Sequence, residues 1–139
     1  MYEKTLVAVD RSGITARVLN AALELASLSQ GEVWILHLRD REVMGKTGLL
    51  TSSEGRDEAS EAVTAAVETF TKAGIKAYGT VRDTIFGYAA REIVNDAREH
   101  DTDVIVMGSR GRGDLAGLVL GSTAHKVIHL ADRPVLVVR

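Results

Sequence analysis

Apolar residues along this chain follow two alternating patterns. Thr5–Val9, Val33–Leu38, Val104–Met107 and Val135–Val138 are short, nearly unbroken apolar runs, the mark of strands buried on both faces. Between them, apolar residues recur at helical spacing. After Ser12, placed to cap a first helix, Val18, Ala22, Leu25 and Ala26 share one face, while Arg17, Asn20, Glu24 and Ser27 share another. Gly31 ends that helix. A second helix is predicted over Asp57–Ala73, with the stripe Ala59, Ala62, Val63, Ala66, Phe70 and Ala73, and Gly74 closes it. Phe86, Ala90, Ile93 and Ala97 mark a third. Gly121 opens a fourth, with Ala124, Val127, Ile128 and Ala131 facing inward, and Pro134 separates it from the last strand.

Two stretches depart from this rhythm. Lys76–Arg82 has the look of a weaker, more polar strand. Arg39–Gly55 holds Gly45, Gly48 and Gly55, the run Thr51-Ser52-Ser53 and charges at Arg39, Asp40, Arg41 and Glu42. It is expected to be a long loop, of the kind that is often functional. Strands alternating with helices predict βαβ units around a parallel sheet. Five strands and four helices make a single α/β domain over residues 1–139, doubly wound and flavodoxin-like.

Composition narrows the classes. Only 4% of the 139 residues are aromatic, so the core must be built from Val, Leu, Ile and Ala. A net charge of −2 gives no general attraction to nucleic acid. The chain has no cysteine, which excludes a disulfide framework, a thiolate metal site and a thiol nucleophile. It opens on Met-Tyr-Glu-Lys with no apolar signal region, and no apolar run approaches a membrane span of roughly 20 residues. A cytoplasmic location is expected, without contact to membrane or nucleic acid.

The most informative stretch is Val104–Thr123. A strand ends at Gly108, Gly111 follows after two residues, and Gly121-Ser122 follows after nine more, where a helix begins. A strand feeding a glycine-rich loop that opens a helix is a way to cradle phosphate. Glycines let backbone N–H groups approach an anion, and the helix N-terminus adds free donors and a positive dipole end.

This spacing, the opening Leu-Val-Ala-Val-Asp, the Val-Ile-Val-Met-Gly-Ser-Arg-Gly core and the closing Arg-Pro-Val-Leu-Val-Val resemble the universal stress protein family, in its ATP-binding branch. The resemblance covers the whole chain. It implies sheet order 3-2-1-4-5, with the ligand beyond the carboxyl ends of strands 1 and 4, where the order reverses. Asp10 and Gly108 end those two strands. It also implies that Met107, Gly108, Ser109 and Gly111 line the ligand, and that Gly121, Ser122 and Thr123 meet its phosphates. Arg110 and Arg112 would add charge there. Asp10 would contact the nucleotide or its Mg²⁺, and is otherwise a capping group for the first helix. Ser12 follows it in the same turn. His37 and Leu38 would touch the adenine, His37 in a packing role. The chain departs from the family pattern twice. It has Asp10-Arg11-Ser12 where Asp-Gly-Ser is usual, and Ala124 where a hydroxyl is frequent.

The resemblance implies a regulator that binds ATP, or another adenine nucleotide such as AMP or a cyclic nucleotide, and that forms a homodimer. Strand 5, Val135–Val138, is an edge without charge before Arg139, which invites pairing with a second copy. A slow phosphohydrolase or autophosphorylating protein is the first alternative, a nucleotide-free interaction module the second. Other templates fail. There is no Gly-x4-Gly-Lys-Ser/Thr loop and no Gly-x-Ser-x-Gly elbow. His125 and His129 have zinc-like spacing but no evident third ligand, and Arg112-Gly113-Asp114 is a chance tripeptide.

Overall fold

The computed structural model describes residues 1–12, 14–44, 49–51, 54–85, 87–110 and 120–139. Its elements are β1 (Lys4–Val9), α1 (Thr15–Ser29), β2 (Glu32–Met44), β3 (Leu49–Thr51), α2 (Arg56–Lys72), β4 (Ala77–Ile85), α3 (Ala89–Glu99), β5 (Val104–Gly108), α4 (Ser122–Leu130) and β6 (Val135–Val138). The parallel strands run in the order β4-β2-β1-β5-β6, which is the expected 3-2-1-4-5.

Strand alternation divides the core into two layers. Leu6, Ala8, Leu36, Leu38, Ile105 and Met107 point to one face, where Ile93 and Ala97 of α3 and Ala124 and Val127 of α4 cover them. Val7, Val9, Val33, Ile35 and Val106 point to the other, beneath Val18, Ala22 and Ala26 of α1 and Ala66 and Phe70 of α2. Both faces of the central strands are therefore dry, and this is why those strands are uniformly apolar in sequence.

The predicted loop from Arg39 is corrected in part. Strand β2 continues through Met44, and its end pairs antiparallel with β3, Glu42 opposite Thr51 and Met44 opposite Leu49. The charged run is a strand because β4 extends beside it as far as Arg41 opposite Ile85. Backbone pairing and cross-strand charge pairs hold it where apolar burial ends. Residues 45–48 and 52–53 of the expected loop lie outside the described residues.

The first turn also differs from expectation. Ile14 occupies the N-cap of α1 and no side chain caps that helix, so Ser12 is not its cap. Asp10 organises the turn instead. Its Oδ1 accepts from the Ser12 N–H at 2.9 Å, and its carbonyl accepts from the Thr15 hydroxyl at 2.7 Å. This is an Asx-type turn, in which a short carboxylate replaces a backbone partner. Among the described residues no helix is long and apolar enough to cross a membrane.

Candidate functional site

The candidate site lies at the carboxyl end of the sheet. Ala8 of β1 stands opposite Met107 of β5, so the chain leaves the sheet at Asp10 and at Ser109 from neighbouring strands. On the other side of β1, Val9 stands opposite His37 of β2. The three strand ends thus lie side by side, at the place where the chain order reverses.

Beyond β5 the backbone is anchored at both ends of the glycine loop. The Ser109 N–H donates to the Val138 carbonyl at 2.7 Å, and the Gly121 N–H donates to the Ser109 carbonyl at 2.5 Å. Gly121 therefore returns to the point where the loop departs. Gly111 and Arg112 lie outside the described residues, whereas Arg110 is exposed. Gly108 permits a close approach: a Cβ there would stand 3.0 Å from Ile14 Cγ2 and 3.3 Å from the Arg110 carbonyl. A side chain there would require Ile14 and the Arg110 carbonyl to give by a few tenths of an ångström.

Helix α4 begins immediately after Gly121. Gly121 is its N-cap with φ −74 and ψ 166, and no side chain caps the helix. Among the described residues no side chain caps the first-turn N–H groups, which carry the positive end of the helix dipole. Ser122 is exposed and Thr123 partly so, both at the mouth. Ala124 is buried in the core beside α3, which accounts for an apolar side chain at that position.

The other expected site residues divide by orientation. Met107 and Leu38 turn their side chains into the α3–α4 core, and Ser109 is also buried. His37 and Leu38, adjacent on β2, point to opposite faces. His37 is 3% exposed, and its Nε2 lies 2.8 Å from Oε1 of Glu54, itself 5% exposed. Asp10 remains partly exposed beside its turn.

In the sequence Arg39 reads only as a loop charge, and Glu54 and Asp83 are not singled out, yet the three are linked to His37 at the end of the sheet. Arg39 donates to both carboxylate oxygens of Asp83, from Nε at 2.7 Å and from Nη2 at 3.0 Å, and its Nη1 donates to the Glu54 carbonyl at 3.4 Å. The Arg39 hydrogen bond holds the Asp83 carboxyl below the usual carboxylate range, against a smaller opposing effect of burial. The pairing offset of β2 and β4 is the signal that finds this contact, since Val33 opposite Ala77 places Arg39 opposite Asp83.

A Mg²⁺ ion usually takes one or two protein carboxylates and fills its shell with phosphate oxygens and water. Asp10 fits the role of a single carboxylate beside a phosphate site, with its Oδ1 oriented by the Ser12 N–H. No cluster of three His, Cys, Asp or Glu side chains suited to a metal occurs among the described residues. His125 and His129 are both exposed on α4.

The model of the universal stress protein family matches residues 1–139. A universal stress protein of Bacillus subtilis strain 168 is 37% identical, with all of both chains covered. The solved structure of a Methanocaldococcus jannaschii protein superposes with a TM-score of 0.80 at 26% identity, covering 99% of this chain and 96% of the other. A universal stress protein of Archaeoglobus fulgidus, solved in complex with dAMP, superposes with a TM-score of 0.71 at 29% identity, covering 99% and 98%.

Proposed function

This chain belongs to the universal stress protein family, and from that premise we propose that it binds an adenine nucleotide, ATP in the first place, as a regulator that responds to the ligand rather than consuming it. The observation that carries the reading is the start of α4. Its N-terminus has no side-chain cap, lies next to the reversal of strand order, and is pinned by the Gly121–Ser109 hydrogen bond. The complex of the Archaeoglobus fulgidus relative with dAMP supports the ligand class.

In this reading the triphosphate rests on the backbone N–H groups of Ser122 and Thr123, which Gly121 positions through its bond to Ser109, with Arg110 and Arg112 adding positive charge. The nucleoside crosses the end of β1 past Gly108 toward His37 and Leu38. Asp10 holds a phosphate-bound Mg²⁺, with Ser12 fixing its carboxylate. A cytoplasmic setting supplies both the nucleotide and the ion. The β2–β3 hairpin follows the base-binding end of β2, so its surface is the part of the molecule that changes when the ligand is present.

Regulation also requires a partner surface. We propose that β6 pairs with a second copy to form a homodimer. β6 is an edge of the parallel sheet, and Leu136 is 42% exposed on it. Ile128 and Leu130 of the adjacent α4 are likewise exposed.

Two measurements on purified protein with Mg·ATP test the regulatory reading against turnover. Hydrogen exchange should show protection gained at residues 10–12, 121–124 and the β2–β3 hairpin, with at most slow phosphate release and no mass gain. Sustained phosphate release or a phosphorylated chain would replace the regulator with an enzyme. Exchange identical with and without ATP would reject nucleotide-linked regulation.

A further inference from the structure

The chain has four histidines and no cysteine, and the fold commits two of the four. His37 is 3% exposed, and its Nε2 is held by Glu54 at 2.8 Å. His100 stacks on Trp34 with ring centroids 4.1 Å apart, and its Nδ1 lies 3.0 Å from the Asp96 carbonyl oxygen. His125 and His129 are the other two. Both are exposed, and both lie within α4, one helical turn apart.

This spacing has a definite chemical use. Residues four apart stand one above the other on a helix, with Cβ atoms about 5–6 Å apart. A metal ion binds imidazole nitrogen at about 2.0–2.1 Å, so two nitrogens at neighbouring corners of its shell are roughly 3 Å apart. Rings that lean toward each other span the difference, which is why the same spacing holds zinc in helical metal-binding motifs. The backbone beneath the pair is regular. The His125 N–H donates to the Gly121 carbonyl at 3.0 Å, and the Ala131 N–H donates to the Val127 carbonyl at 2.8 Å. Ala124 and Val127 fix the helix in the core. The two imidazoles are therefore set on a rigid support and open to water. Lys126, the exposed residue next to His125, supplies no lone pair when protonated and does not compete as a ligand.

We propose that His125 and His129 form a two-point chelate for a late first-row divalent metal ion, with Cu²⁺ held most tightly and water completing the shell. Imidazole nitrogen suits Cu²⁺, Ni²⁺ and Zn²⁺, whereas Mg²⁺ and Ca²⁺ favour oxygen ligands, and among the first group copper binds most strongly at a given set of ligands. The site is thus chemically separate from a phosphate-bound Mg²⁺ at Asp10, and it stands whether or not the chain binds a nucleotide.

The test uses the whole chain, free of any affinity tag and of nucleotide and stripped with a chelator. CuCl₂, NiCl₂, ZnCl₂ and MgCl₂ are each titrated by calorimetry at pH 7.5 in a non-coordinating buffer, and electron paramagnetic resonance reads the copper ligands. The expected result is one Cu²⁺ per chain with nitrogen hyperfine structure, weaker Ni²⁺ and Zn²⁺, and no Mg²⁺. His125→Gln and His129→Gln should each weaken Cu²⁺ by at least about tenfold, the least that loss of a direct ligand costs. Lys126→His combined with His129→Lys keeps composition and charge but makes the two histidines sequence neighbours, which do not face each other on a helix. It should weaken Cu²⁺ as much as the single variants. His100→Gln should bind as wild type does. All the α4 positions are exposed, so these variants keep the core intact. A wild type without a one-to-one copper complex would overturn the proposal. So would single variants or a rearranged pair that bind copper like wild type, which would mean separate imidazoles rather than a chelate. Loss of copper binding in His100→Gln would place the metal elsewhere and overturn it as well.

Discussion

Arg39 of β2 and Asp83 of β4 stand opposite each other on neighbouring parallel strands and close a two-point ion pair, at 2.7 and 3.0 Å. Arg41 approaches the same carboxylate at 3.7 Å. These contacts begin where the apolar core ends, and they carry β2 and β4 outward past it.

Asp83→Asn should lower stability by about 1–2 kcal/mol at pH 7, since it leaves a partly buried guanidinium without its charged acceptor. The pH dependence has a definite sign. The carboxyl is held below its ordinary value in the folded state. Its stabilisation is therefore complete above the unfolded value near about 4 and is lost as pH falls through the lower folded value. Urea titrations of wild type and variant should diverge at pH 7 and converge toward pH 2. A gap independent of pH would refute the assignment.

Gly31→Ala should be costly, by about 2–4 kcal/mol. A Cβ at Gly31 would collide with the Glu3 carbonyl oxygen and stand 2.8 Å from the Glu3 carbonyl carbon. That oxygen already accepts the Glu32 N–H at 2.7 Å, at the start of the β1–β2 pairing. Neither backbone segment can retreat without breaking that bond. Thermal unfolding checks this, and an unchanged midpoint would contradict it.

Asp132 lies between two guanidiniums, 2.9 Å from Arg133 Nε and 3.2 Å from Arg98 Nε. The Arg133 hydrogen bond, then that of Arg98, brings its carboxyl down to about 2. A depressed carboxyl contributes stability above the unfolded value and loses it as pH drops toward the folded one. Asp132→Asn should therefore flatten the acid limb of the stability curve between about pH 4 and 2. Parallel curves for wild type and variant across that window would be the contrary result.

On the proposed pairing through β6, wild type should sediment as a dimer and Leu136→Lys as a monomer that keeps its fold. Leu136 faces outward on the edge strand, so a charge there meets water in the monomer and a like charge in the twofold pair. A dimer that survives the substitution would exclude β6 as its interface.

The fold was legible wherever the core was. β1 and β5 are apolar on both faces, and their runs announce them. The stripes of α1 and α2 mark the faces that cover Val7, Ile35 and Val106. Legibility ended with burial. Arg39, Asp40 and Arg41 carry no apolar period, because β2 there is held by β4 and by Asp83 rather than by a helix. Asp10 and Ser12 both read as capping groups by type, whereas the helix starts after Ile14 and the Asp10 carboxylate accepts from Ser12 instead. Of the candidate site residues, Gly108 has a geometric reason in its close approach to Ile14, and Gly121 in its return to Ser109. The site was not legible at Glu54, whose partner His37 is brought close only by the hairpin. Nor does spacing along the chain show that Met107 and Leu38 direct their side chains into the core.

The most direct test of phosphate binding at α4 is calorimetric titration of wild type and Ser122→Asp with Mg·ATP, after removal of copurified nucleotide. Ser122 is exposed in the first turn of α4. An aspartate there suits the helix dipole and preserves the fold, but it sets a negative charge where the phosphates would rest. The account predicts saturable binding by wild type and at least about tenfold weaker binding by the variant, on the scale of one charged contact. Absence of binding by wild type, or equal affinity of the variant, would contradict it.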